Sequence, residues 1–133
     1  MHGGTVMKWI DQAGYACAVG WSGLYCVTIY VGGIRFLSPI RIGDLVEVQA
    51  KVILTGSTSM HISVDVFARD PKSDTARKTT HCIIVFVAVD EAGSPTPVQD
   101  WTPETPEDVA LEGYARKLME LRRDIEQEMS PFR

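Results

Sequence analysis

The sequence predicts an α+β fold: a helix at the N-terminus, an antiparallel sheet that packs one face on that helix, and a second helix at the C-terminus. Three observations carry this prediction. The first residues repeat apolar side chains at helical spacing, the middle alternates apolar and polar residues, and a capped amphipathic run follows a proline-rich connection.

Residues from about Thr5 to Val19 read as the first helix, because Met7, Ile10, Gly14 and Cys17 recur at three- and four-residue intervals and so share a face. Ala13, Gly14, Ala16 and Ala18 are small enough to let this helix lie close to a sheet. Tyr25 to Phe36 reads as a strand interrupted at Gly32-Gly33, where a bulge or a close backbone approach is expected. Val46 to Val52 alternates strictly, and Thr55-Gly56-Ser57 then turns the chain. In the next strand Ile62, Val64, Val66 and Ala68 alternate with His61, Ser63, Asp65, Phe67 and Arg69, ending at the turn Asp70 to Asp74. Thr79 to Val89 becomes apolar on both faces, as a central strand does. The expected sheet is a simple antiparallel meander of these consecutive strands. After Pro95 to Pro106, Thr105 stands as cap, Pro106 at the first helical position and Glu107 and Asp108 in the first turn. Leu111, Tyr114, Leu118, Leu121, Ile125 and Met129 continue as one stripe, expected to serve packing or an oligomer contact.

At 133 residues there is room for one compact domain and little more. The net charge of -4 argues against nucleic acid as a general partner, so an anionic ligand must meet a local basic patch. The cysteines, Cys17, Cys26 and Cys82, are odd in number and at least nine positions apart. They are therefore expected to be reduced thiols in a cytoplasmic setting and to hold no metal. No apolar run approaches the roughly 20 residues that span a bilayer, and no secretory signal pattern opens the chain, so no membrane partner is expected.

Chemistry concentrates in His2-Gly3-Gly4-Thr5-Val6-Met7-Lys8-Trp9-Ile10-Asp11. Two glycines at a helix start leave backbone N–H groups open where the helix dipole favours negative charge, a place suited to a developing oxyanion. Asp11 follows two turns later at the margin of the buried stripe, where partial desolvation would fit it to act as a base. Spacing alone favours the plainer reading, a flexible entry to a helix and a solvated carboxylate.

Helix-initial HGG followed by M-x-W-x-D resembles the acyl-CoA thioesterase branch of the hotdog superfamily, the group of bacterial broad-range acyl-CoA hydrolases and brain-type acyl-CoA hydrolase. Phe36-Leu37-Ser38-Pro39-Ile40 with Ile42-Gly43-Asp44-Leu45-Val46 resembles the family's F-x-x-P-x-x-x-G-D segment. Thr55-Gly56-Ser57-Thr58-Ser59 resembles its T-G-x-T-S turn, and the strand ending Phe86 to Asp90 also fits. The resemblance covers residues 2 to 98, within a hotdog domain taken as residues 1–98, with residues 99–133 as a proline-rich connection and helix packed on that domain. It implies a long helix wrapped by a curved antiparallel sheet, paired edge to edge in dimers that often form trimers of dimers. It further implies hydrolysis of acyl-CoA to free acid and coenzyme A without a cofactor. Asp11 of one chain would serve as general base or nucleophile, with the Gly3 and Gly4 amides of another as oxyanion hole.

The family also carries an asparagine just upstream of HGG, and this sequence begins one residue before the motif. Thr28, on the strand beside the helix, is the candidate substitute. For the CoA phosphates the candidates are Arg69, Lys72, Arg77 and Lys78 around one turn, and Arg116, Lys117, Arg122 and Arg123 on the last helix. Arg69, Lys72 and Lys78 are preferred, with Gly56, Ser57 and Thr58 letting the nucleotide or pantetheine lie close to the backbone. His61 and His81 read as structural, and His2, at a chain end, is assigned no role. Hydration or dehydration of a thioester on the same fold calls for a His-carboxylate motif that this sequence lacks. A non-catalytic acyl-CoA-binding or assembly module is the alternative function.

Overall fold

The computed structural model describes residues 3–132, so His2 lies outside the described residues. The elements run α1 (Gly3–Ser22), β1 (Tyr25–Phe36), β2 (Leu45–Thr55), β3 (Ser59–Arg69), β4 (Arg77–Val89) and α2 (Pro106–Met129), with a short 3-10 turn at Ser130–Phe132. The strands form one antiparallel sheet in the order β1-β4-β3-β2. This corrects the expected meander. Only β2, β3 and β4 follow one another in space, while β1 pairs with β4 and forms the far edge. Alternation fixes which face a side chain takes but carries no information on which strand lies beside it.

α1 packs on one face of the sheet through Val6, Ile10 and Ala18, against Ile62, Val64, Val66, Cys82, Ile84 and Phe86. Gly14 makes this approach possible: a methyl there would stand 3.1 Å from Ile84 Cδ1 and 3.2 Å from Phe86 Cε2. The helix stops at Gly23, whose φ of 70° suits a left-handed cap and whose N–H donates to the Val19 carbonyl at 2.8 Å.

α2 lies on the opposite face, where Leu111, Tyr114, Ala115 and Leu118 cover Ile53, Leu54 and Ile83. Its N-terminus is built as the sequence predicts, with the Asp108 N–H donating to Thr105 Oγ1 at 3.0 Å. The Asp108 carboxylate in turn meets the Lys51 ammonium on β2. Fourteen residues later Arg122 lies over the Tyr30 ring of β1, 4.9 Å from its centroid. The helix therefore crosses the whole sheet from one edge strand to the other. Its stripe divides: Leu111, Tyr114 and Leu118 pack, whereas Leu121, Ile125 and Met129 are exposed.

β1 shifts register after Thr28 and again after Gly32, which places the expected bulge at the glycine pair. Gly33 has φ 61°, and a Cβ on it would come 3.2 Å from the Tyr114 hydroxyl. The bulge is thus where α2 touches the edge strand.

Candidate active site

α1 begins at Gly3, so the Gly3 and Gly4 amides belong to its first turn and have no acceptor within the helix. The space around Gly4 is open, with no atom within 4 Å of where a Cβ would stand. No acidic side chain occupies this first turn, leaving its positive dipole end uncompensated by a local carboxylate.

Asp11 follows Ile10, which is wholly buried, and a step of ~100° per residue turns its carboxylate off the sheet onto one flank of α1. That flank is identified by its neighbours. Tyr15, one turn on, sets its ring edge-on to Phe86 at 6.3 Å, and Phe86 is paired with Thr28 on β1. Further along, Ser22 Oγ lies 3.4 Å from Cys26 Sγ, also on β1. The opposite flank, with Trp9, Gln12 and Ala13, faces Val46 and Val48 of β2. Asp11, Tyr15 and Thr28 therefore all stand toward the β1 edge, and Thr28 shares the α1 face with buried Cys26. Asp11 and Thr28 are both exposed, so the desolvation expected of Asp11 is not supplied by its own chain.

Seven residues separate Gly4 from Asp11, an axial distance of roughly 10 Å in a helix. A single carbonyl cannot accept from the first and be attacked from the second. Within one chain the glycines and the carboxylate stay apart.

Two apolar cavities flank Asp11 along the helix. One, of about 400 Å³, is lined by Val6, Phe36, Leu37, Pro39, Ile40 and Thr80 near the helix start. The other, of about 680 Å³, is lined by Tyr15, Val19, Leu24, Tyr25 and Val89, with Asp90 and Glu91 at its rim.

The candidate CoA residues fall into two groups that one chain does not bring together. Gly56, Ser57 and Thr58 form the β2–β3 turn, closed by Gly56 N–H donating to the Ser59 carbonyl at 2.9 Å. Arg69, Lys72 and Lys78 stand at the other end of β3, whose 11 residues make the separation roughly 30 Å. Arg69 donates to the Ser73 carbonyl at 2.9 Å, Lys72 is exposed, and Lys78 lies 3.5 Å from Asp65 and over the Phe67 ring. Arg116, Lys117 and Arg122 pair along α2 with Glu112, Glu120 and Glu126.

One arrangement escaped the sequence reading, and two others add detail to it. Arg77, a candidate phosphate ligand, instead clips the β1–β2 loop: its guanidinium donates to Ser38 Oγ, the Pro39 carbonyl and Asp44 at 2.7 to 3.1 Å. The Arg41 N–H and then Arg77 hold the Asp44 carboxyl below its ordinary range. The G-D pair of the loop was the available signal, since a buried aspartate in a loop calls for a cation. His81 links Asp65 at 2.7 Å to the Tyr114 hydroxyl at 3.0 Å, which is the structural role expected of it. His61 is buried between Tyr30, Leu118 and Arg122, its Nδ1 without a protein partner. Burial first, then the nearby Arg122 and Arg116 charges, lower its pKa to about 4. Among the described residues no cluster of three or more His, Cys, Asp or Glu is placed to hold a metal, and no helix is long and apolar enough to cross a membrane.

The thioesterase superfamily model matches residues 1–75. Protein VdlD of Helicobacter pylori is 32% identical over 122 residues, 92% of this chain and 70% of that protein. The crystal structure of an apo-hexameric acyl-CoA thioesterase superposes with a TM-score of 0.89 at 31% identity, over 93% of this chain and 80% of that one. An acyl-CoA hydrolase from Staphylococcus aureus, solved with butyryl coenzyme A, coenzyme A and coenzyme A disulfide, gives 0.88 at 30% identity, over 98% of this chain and 80% of that one. The helix on a four-stranded antiparallel sheet is the hotdog fold of these neighbours.

Proposed function

The chain belongs to the thioesterase superfamily, and from that premise we propose that it hydrolyses acyl-CoA thioesters to a free fatty acid and coenzyme A, in a site assembled from two copies paired along β1. The observation that carries the two-copy reading is the roughly 10 Å between Gly4 and Asp11, with Asp11 on the flank nearest the unpaired edge. Antiparallel pairing of two β1 strands reverses one copy against the other. It brings one chain's helix start toward the other's Asp11, and sets one chain's Gly56 to Thr58 end level with the other's Arg69, Lys72 and Lys78, five strand spacings or about 24 Å across the joined sheet. Pairing also covers Asp11, supplying the desolvation that the single chain lacks.

In this site the Asp11 carboxylate takes a proton from water as the water oxygen bonds to the thioester carbon. The carbonyl oxygen becomes an oxyanion facing the Gly3 and Gly4 amides of the second copy. Collapse breaks the C–S bond, and the coenzyme A thiolate takes up the proton. The nucleophilic alternative has Asp11 bond to the carbon and expel the coenzyme A thiolate, forming a mixed anhydride that water then opens to the free acid and the Asp11 carboxylate. Thr28, on the same edge of the sheet, would hold the water or carbonyl. The cavity beside Tyr15 and Val19 suits an acyl chain, and the acids at its rim repel the CoA phosphates. Dimers would assemble further into trimers of dimers, a reading supported by the hexameric state of the neighbouring acyl-CoA thioesterase. Three unpaired cysteines, two of them buried, accord with a reducing, cytoplasmic setting.

The test is thiol release from a panel of acyl-CoAs by wild type and Asp11→Asn. Loss of a positioned base should lower kcat by about 10²- to 10⁴-fold with coenzyme A affinity retained. Full activity in the variant rules out this mechanism. Coenzyme A binding by wild type with no turnover of any chain length would favour the non-catalytic binding module.

A further inference from the structure

α2 is longer than the sheet it covers. Its 24 residues span about 36 Å, whereas the axes of β2 and β1 are three strand spacings apart, about 14 Å. It is anchored over β2 by Asp108 and reaches β1 by Arg122, which leaves seven residues, about 10 Å, projecting past the sheet edge. Leu121 at the root of this overhang and Ile125 and Met129 along it recur every fourth residue, 45%, 54% and 59% exposed.

The edge beneath it is equally unfinished. β1 exposes Tyr25, Val27, Ile29, Val31, Ile34 and Phe36 along 12 residues, with Arg35 its only charge. The other edge, β2, carries Glu47, Gln49 and Lys51, which discourage pairing. Long apolar edges are completed by another strand, and a strand added to β1 would lie directly under the overhang.

We propose that the C-terminal half of α2 is a clasp on a second copy of this chain: Leu121, Ile125 and Met129 pack on the α2 side of the sheet of the protomer whose β1 pairs with this one. By two-fold symmetry each protomer clasps the other. The occupant follows from the direction of α2, whose projecting end, at the same oblique crossing, reaches about 7 Å beyond β1, over the partner's own β1. The clasp rests on the pairing of two copies invoked for the active site, and it adds that α2 holds that pairing together.

The experiment is sedimentation and light scattering of Leu121→Glu/Ile125→Glu, together with a chain ending at Arg123. Leu111, Tyr114, Ala115 and Leu118 still dock α2 in both, so folding is checked by an unchanged circular dichroism spectrum. The dimer dissociation constant should rise by at least about 100-fold in each, the loss expected for four half-buried apolar side chains, two from each of the symmetric clasps. Specific activity should fall on dilution and return at high protein concentration. Asp11→Asn should remain fully assembled and inactive at every concentration, which separates the clasp from the chemistry. If wild type hydrolyses no acyl-CoA, the sedimentation result still decides the clasp. Dimers that persist at every concentration, or dimers merely released from a larger assembly, overturn it.

Discussion

At the scale of single residues the site depends on small, open positions as much as on charge. Gly4 has empty space where a side chain would begin, so Gly4→Ala should fold with no loss of thermal stability, alanine being the better helix former. The methyl would crowd the first-turn amides, and kcat should fall by at least about 10-fold while coenzyme A binding holds. Equal kcat in both proteins would remove these amides from the reaction. His61 makes a separate prediction. Its folded pKa of about 4 lies below the ordinary value of 6.5, so the unfolded chain binds the extra proton between those limits. Stability is therefore intact above pH 6.5, is lost as the pH falls toward 4, and changes no further below it on this account. The slope approaches about 1.4 kcal/mol per pH unit inside the window. In urea titrations from pH 7 to 4, His61→Gln should lose that slope; an unchanged slope would mean that another group carries it.

At the scale of elements, α2 depends on its first turn. Thr105→Ala removes the acceptor for the Asp108 N–H and should cost about 1 kcal/mol in denaturant titration, with activity falling only as far as the helix detaches. This start was legible in the sequence because capping is local: threonine, proline and two acids within four positions leave few other structures open. The bulge in β1 was legible for the same reason, at Gly32-Gly33. The neighbours of β1 were not, since pairing Tyr25 with Val89 depends on energies summed across the sheet and not on any nearby residue. Asp11 shows the same divide. Its place on the helix followed from periodicity, its chemistry came only through resemblance, and its exposed state in the single chain needed coordinates. The opposite placement of Gly56 and Arg69 was legible too, since the two flank one strand and an extended chain keeps its ends apart. Arg77, by contrast, looked like any surface cation until the loop folded onto it.

At the scale of the whole molecule, the single chain holds every proposed part of the site but not the site. Wild-type specific activity should therefore stay constant down to the dimer dissociation constant and fall steeply below it, measured by diluting enzyme at saturating acyl-CoA. Constant specific activity in a protein shown to be monomeric would assign the whole reaction to one chain. Mixing Asp11→Asn with Gly4→Ala protomers tests the same geometry: mixed dimers contain one site with both intact groups, so partial activity should reappear from two impaired parents.

The sheet order also governs when the molecule can take shape. β1 leaves the ribosome early, yet its partner β4 is the last strand made, and Tyr25 must wait 64 positions for Val89. Meanwhile β2 and β3 can close on each other across a three-residue turn. The end of the chain that carries the proposed chemistry is thus the one that waits, its apolar strand unpaired during synthesis and open to capture by the wrong chain.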